Sequence, residues 1–309
     1  MARYAVVYAF RGGLTQAPAF EFQALTGSVP AQLVYVWLCL GASCAALYFG
    51  VRRGIERVSK AVMPVVLLVL LVLAVRALTL EGAWQKTLGY FANTQGFGPR
   101  TVLAALGQSI FSLALGGTSM VAYGSYMSVT HSVSRGAAWT AGLDTAASLL
   151  ATLVIVPPAL VFGVDLRSGP GLLFEVMPSL FGAMPGGSFL AAVFLLATWL
   201  CAMLSLMAAC EVVVAGAGDA WGWTRRRALL SLLGVQLVLT VPAMRSVDYI
   251  FFSDLLWGST MQPVGAAVAV IALAWFLGLP PSFPGWLHYW IKHAVPLGIA
   301  AGLLYGWFG

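Results

Sequence analysis

Apolar residues in this chain run in long unbroken stretches, and polar positions gather between them. A hydrocarbon core about 30 Å thick asks for ~20 apolar residues per spanning helix. Eight stretches approach or exceed that length: 30–50, 54–80, 101–127, 137–163, 187–218, 226–243, 249–278 and 284–308. Several are longer than the minimum, which implies tilt or a break. Helix breakers separate them, among them Gly12-Gly13, Pro18, Gly54, Pro99, Gly169-Pro170, Pro185-Gly186-Gly187 and Pro280-Pro281. No soluble domain fits between the stretches. The pattern predicts an all-α polytopic membrane protein.

The connections give orientation. Arg52, Arg53, Arg57 and Lys60 fall in the first, Arg135 with His131 in the third, and Arg225, Arg226 and Arg227 in the fifth. The intervening connections hold only scattered Lys and Arg, so the first set is predicted to be cytoplasmic. Residues 1–12 are apolar but too short to span, and read as the last turns of a helix. Residues 81–100 carry Trp84, Tyr90 and Phe91 and suit the outer aromatic interface. Residues 170–183 read as a short amphipathic helix, either a lid over a vestibule or a surface connector.

One stretch departs from the apolar rule. Residues 107–126, GQSIFSLALGGTSMVAYGSY, place Gly116, Gly117 and Thr118 mid-span, with hydroxyl and amide side chains on both sides. Two uses fit this pattern. Small residues can unwind a helix and expose carbonyls to an ion or substrate near the midplane, or they can let two helices pack closely. Acids add to the picture. Asp144 lies well inside the fourth stretch, where a carboxylate costs ~2.5–3.5 kcal/mol on insertion scales and so calls for a partner, a proton or an aqueous path, which makes it a candidate ion-site residue. Glu211, in the fifth, is read as a hydrogen-bonding or cytoplasm-facing group. Asp254 sits near the outer end of the seventh.

Composition narrows the classes further. Hydrophobic residues make up 61% of the 309 and charged residues only 8%, against about 25% charged in soluble domains. Soluble enzymes, disordered chains and nucleic-acid binders are thereby excluded. The net charge of +6 resolves into the basic connections. Four cysteines have no paired spacing. No H-E-x-x-H, P-loop or G-x-S-x-G is present, and His131, His288 and His293 form no metal triad by spacing. His288 and Lys292 share a helical face, with Lys292 expected to snorkel toward the interface.

Taken together, the segments resemble the neurotransmitter:sodium symporter family, particularly its bacterial amino-acid transporters. RRGIERVSKAVMPVVLLVL (52–70) resembles the start of the family's fifth helix and GQSIFSLALGG (107–117) its unwound sixth. Asp144 with LLATLVIVPPALVFG (149–163) resembles the seventh, and MPGGSFLAAVFLL (184–196) with CAMLSLMAACE (201–211) the eighth. The resemblance implies one transmembrane domain over 1–309. Residues 1–12 would be a remnant of the third helix, 30–80 the fourth and fifth, 101–278 the second inverted repeat (sixth to tenth), and 284–308 the eleventh. It thus implies an N-terminally truncated LeuT-like fold lacking the first two helices and most of the third.

Site residues follow from the same resemblance. Ser112 and Asp144 match ligands of the first sodium ion, Asp144 standing where an Asn is usual. Cys201 and Ser205 match ligands of the second, with Leu204 in place of an expected hydroxyl; an aliphatic side chain offers a hard cation no oxygen, so that site is weakened or lost, or the register there is shifted by one residue. Phe111, Ala114, Gly116 and Gly117 match substrate-pocket positions, Gly117 leaving room for a bulky side chain. Ser148 matches the anion-site position, and a charge at Asp144 makes chloride dispensable by Coulomb compensation. Asp254 matches the acid of the extracellular gate. The expected function is sodium-coupled symport of amino acids or related small zwitterions by alternating access in a bacterial inner membrane, as a multi-pass protein, with Na⁺ as the coupling ion and Cl⁻ either a further ion or, with Asp144 in place, dispensable. No enzymatic activity and no nucleic-acid partner are expected; a homodimer is compatible. The alternatives are a non-transporting gene fragment and a membrane interaction or receptor protein.

Overall fold

The computed structural model describes residues 28–49, 55–93, 97–116, 119–128, 131–166, 177, 181, 184–279 and 283–308. Residues 1–12, Gly117, Thr118 and most of 170–183 lie outside them. Helices are α1 (Val29–Tyr48), α2 (Ile55–Leu78), α3 (Ala83–Ala92), α4 (Pro99–Ser112), α5 (Ser119–Ser125), α6 (Val133–Phe162), α7 (Gly187–Trp221) and α8 (Arg225–Arg245). A continuous rod follows, made of α9 (Val247–Ser253), a π-helical segment Asp254–Met261, α10 (Gln262–Ile271) and a second π segment Ala272–Leu277. The last rod is α11 (Gly285–Tyr289), a π segment Trp290–Ala294 and α12 (Val295–Phe308). Among the described residues there is no strand, and five helices are long and apolar enough to cross a membrane. The fold is all-α, as the apolar runs predict.

Two differences from the expected elements are informative. The 81–100 connection contains a ten-residue helix, α3, begun at Gly82 in a left-handed conformation that suits a residue without a Cβ. The 101–127 stretch is two helices, and the first ends at Ser112, ahead of the glycines.

The chain forms two compact units. The first includes α1 to α3, α6 from Thr145 onward, α7 up to Glu211, and α8. Its core is Leu73 and Ala74 of α2, Val154 and Ala159 of α6, and Ala191, Phe194 and Leu195 of α7, closed over by Met177 and Phe181. The Phe181 and Phe194 rings tilt against each other at 5.4 Å, a favourable aromatic separation. Leu68, Leu71, Val72 and Val75 of α2 are exposed. Such apolar faces suit lipid, because a helix satisfies its own backbone and needs no water.

Helix ends in this unit are held by charged side chains. Lys86 of α3 donates from Nζ to the Leu160 carbonyl at 3.3 Å and more weakly to that of Val161, two of the carbonyls a helix leaves unpaired at its C-terminus. There Gly163 takes a positive φ and Val164 N–H bonds back to Ala159. Glu211 is fully buried on α7. Arg225, at the start of α8, donates from Nη1 and Nη2 to its two carboxylate oxygens at 3.1 and 2.5 Å, and from Nε to the Leu47 carbonyl of α1 at 2.6 Å. One guanidinium thus joins three helices. Sequence reading gave Arg225 to orientation alone; its planar fork, which matches a carboxylate bidentately, has a structural task as well.

The second unit includes residues 97–116, α5, α6 up to Asp144, and both C-terminal rods. Here α4, α10 and α12 pack mutually around Ile110, Ala266 and Ile299. A π turn breaks the i to i−4 ladder, and Thr260 compensates within the Asp254–Met261 segment. Its hydroxyl donates to the Leu255 carbonyl at 2.7 Å and accepts from the Trp307 indole of α12 at 3.0 Å.

Candidate functional site

The broken stretch is built from its helix end upward. Leu113 N–H bonds to Ser109, Ala114 N–H to Phe111 and Leu115 N–H to Ile110. The last two form the paired bonds of a Schellman turn, which satisfy two terminal carbonyls of α4. Such a turn needs a left-handed residue, and Ala114 supplies it with φ 50°. Glycine is the usual choice; a Cβ in that conformation costs about 1–2 kcal/mol. Backbone strain therefore sits at one of the residues matched to the substrate pocket.

Gly116 is buried, and a methyl group there would overlap the backbone of Gln262 on α10. A methyl on Gly265 would in turn overlap the Gly116 carbonyl. The close-packing reading of the small residues is realised at Gly116, where the turn packs backbone to backbone against a neighbour; the helix itself stops earlier, at Ser112. Gln262 places its side-chain oxygen out of solvent beside this contact.

Ser112, the last residue of α4, donates its hydroxyl to Asp144 Oδ2 at 3.0 Å. These residues are 32 apart in sequence, and their side chains meet next to the turn at Ala114. Asp144 is half-buried on α6. Ser148 lies one turn further along that helix, exposed, with its carbonyl accepting from Thr152 Oγ1 at 2.8 Å. Cys201, Leu204 and Ser205 lie on α7 within the first unit; Ser205 is exposed and the other two half-buried. Gly117 lies outside the described residues.

Phe111 and Asp254 share a cavity of about 320 Å³ in the second unit. Gln108, Gly258, Ser259 and Tyr305 add its other polar or open positions, and Leu103, Ile299 and Leu303 its apolar wall. Asp254 begins the first π segment, and its carboxylate lies back over Gly258: a Cβ there would stand 2.8 Å from Oδ1 and 3.7 Å from the Phe111 ring. Gly258, Gln262 and Tyr305 did not stand out in the sequence. The single hint was a run of Gly, Ser, Thr and Gln, GSTMQP, inside an otherwise apolar stretch. Among the described residues no group of three His, Cys, Asp or Glu is placed to hold a metal.

Residues 23–280 match the model of the sodium:neurotransmitter symporter family, a family of transporters. An uncharacterised sodium-dependent transporter of Bacillus subtilis, YhdH, is 35% identical over 260 residues, covering 80% of this chain and 55% of the relative. The sodium-dependent dopamine transporter of Bos taurus is 27% identical over 261 residues, covering 78% of this chain and 37% of that protein. Among solved structures, MhsT in complex with L-phenylalanine superposes with a TM-score of 0.85 at 27% identity, over 98% of this chain and 75% of that one. The chain spans about half the length of the bacterial relatives it matches. A family match over most of its residues, apolar helices of spanning length and a shared fold agree: the chain is a multi-pass membrane protein and belongs to the sodium:neurotransmitter symporter family.

Proposed function

We propose that this protein works as a sodium-coupled symporter of amino acids or related small zwitterions, and that Ser112 and Asp144 contribute to a sodium site. One observation carries the reading: the carboxylate of Asp144 is hydrogen-bonded to the last residue of α4. A helix C-terminus bears about half a negative charge, so a carboxylate there is unfavourable by itself and favourable with a cation between them. Carboxylate and hydroxyl oxygens are the ligands a hard cation takes. The charge of Asp144 also reduces any need for chloride. Phe111, Ala114, Gly116 and Gly117 belong in this reading to the substrate pocket, and Asp254 to its outer gate. Cys201 and Ser205 belong to a second, weaker sodium site, with Leu204 contributing no oxygen. The repeat boundaries, 30–80 and 101–278, belong to the same reading, as does placement in a bacterial inner membrane. Support for sodium comes from the relatives named as sodium-dependent transporters. An aromatic amino acid is the first substrate to test, given the phenylalanine bound to MhsT.

The test is uptake of labelled L-phenylalanine and other amino acids into proteoliposomes, paired with sodium-dependent thermal stabilisation. A ligand that binds only the folded state raises stability by mass action. Sodium is expected to stabilise the wild type more than potassium does, and Asp144→Ala is expected to reduce that difference to what the weaker site supplies and to abolish uptake. Uptake independent of sodium, or an Asp144→Ala protein with unchanged sodium response, overturns the assignment.

A further inference from the structure

At the end of the second unit, away from the sodium-site residues in sequence, two π segments pack against each other: Ala272–Leu277 and Trp290–Ala294. Such segments recur at functional sites, because the wider turn frees backbone groups and re-aims side chains. Here the Lys292 carbonyl accepts a hydrogen bond from the Trp275 indole at 3.3 Å. The ammonium of the same Lys292 lies 4.6 Å from the centre of the Trp275 ring, within cation–π range. His293 meets Trp275 edge-on at 5.8 Å and Tyr289 at 5.0 Å. His288 is one turn before Lys292, its Nδ1 3.3 Å from the Pro284 carbonyl.

Two features define what this cluster suits. Charge is the first: residues 272–294 include one lysine and two histidines and no Asp or Glu, so the cluster is complementary to an anion. Depth is the second. Trp275, Trp286 and Tyr289 are 56%, 70% and 69% exposed, and they flank the connection between the last two apolar stretches, where Trp and Tyr are enriched at the headgroup level. The Lys292 side chain does not simply extend toward water, as a snorkelling lysine does; the Trp275 face holds it. An anchored ammonium with two imidazole rings nearby, among exposed aromatics, suits a lipid phosphate. We propose that Trp275, Tyr289, Lys292 and His293 form a binding site for the headgroup of an anionic phospholipid.

The experiment uses the full chain in nanodiscs of phosphatidylcholine with increasing phosphatidylglycerol, and native mass spectrometry to count the lipids each chain retains. The wild type is expected to retain phosphatidylglycerol in preference to phosphatidylcholine. Lys292→Gln is expected to weaken that retention about fivefold, the equivalent of about 1 kcal/mol per basic residue near a charged lipid surface. Lys292→Arg is expected to preserve it, and phosphatidylcholine retention is expected to stay constant in all three. Equal retention of the two lipids by the wild type overturns the proposal, and that arm does not depend on any variant folding. So does a Lys292→Gln protein that keeps phosphatidylglycerol as tightly as the wild type.

Discussion

Arg225→Met isolates the junction that holds three helices of the first unit together. In the native chain the guanidinium makes three charge-assisted hydrogen bonds, two to the buried Glu211 carboxylate and one to the Leu47 carbonyl. Hydrogen bonds to charged groups contribute about 1.5–3 kcal/mol each, but burying a whole ion pair adds the cost of taking both ions out of water. That cost cancels much of the gain, so the intact pair contributes little net stability. Removing one partner is different, because the buried carboxylate loses the bidentate guanidinium that offsets its desolvation, at a cost of about 3–5 kcal/mol. Arg225→Met retains an unbranched apolar stem and should lower the unfolding free energy by about that amount. Arg225→Lys keeps the charge but loses the planar fork and the Leu47 bond, and should fall between, at about 2 kcal/mol given the bonds lost. The double variant Glu211→Leu with Arg225→Met should recover most of the loss. Equilibrium unfolding in detergent micelles across the full double-mutant cycle measures all of these. A loss below about 1 kcal/mol for Arg225→Met, on the scale of an exposed pair, would refute the reasoning. A double variant as damaged as the single one would refute it too.

Three further outcomes follow from the second unit. Ala114→Gly should raise the unfolding free energy by about 0.5–1 kcal/mol, the relief of left-handed strain less the extra freedom of glycine in the unfolded chain; thermal unfolding checks it. Gly116→Ala drives a methyl group into the Gln262 backbone and should cost more than about 4 kcal/mol, the range of severe overpacking and strain, read as loss of monodisperse folded protein. Gly258→Ala places a methyl group 2.8 Å from Asp254 Oδ1 and should displace that carboxylate, changing uptake in the proteoliposome assay; uptake equal to wild type would count against a gating role for Asp254.

Much of the architecture is legible along the chain because it rests on local properties. An apolar run of spanning length becomes a helix since lipid offers no other partner for its backbone, and α2, α6, α7 and α8 follow from their runs. Asp144 also announces itself, as a charge in a place where charge is expensive. The position of the break is harder to read. Glycines at 116 and 117 suggest a break there, yet α4 ends at Ser112 because Ala114 accepts a left-handed turn that its residue type does not favour. Arg225 is ambiguous for a related reason: a basic residue after a span reports orientation whether or not a buried acid waits for it.

By itself the sequence determined the all-α membrane class, the approximate spans and the broken stretch, since hydrophobic run length and residue size act over a few neighbouring positions. The family resemblance put Ser112 and Asp144 at one ion, and the structure shows their hydrogen bond across 32 residues; only the tertiary structure decided that Arg225 joins α1, α7 and α8 and that Phe111 and Asp254 face one cavity. Those pairings depend on how helices distant in sequence pack and on where each helix stops. A shift of one residue along a helix turns a side chain by about 100°, so no periodicity in the chain could have specified them.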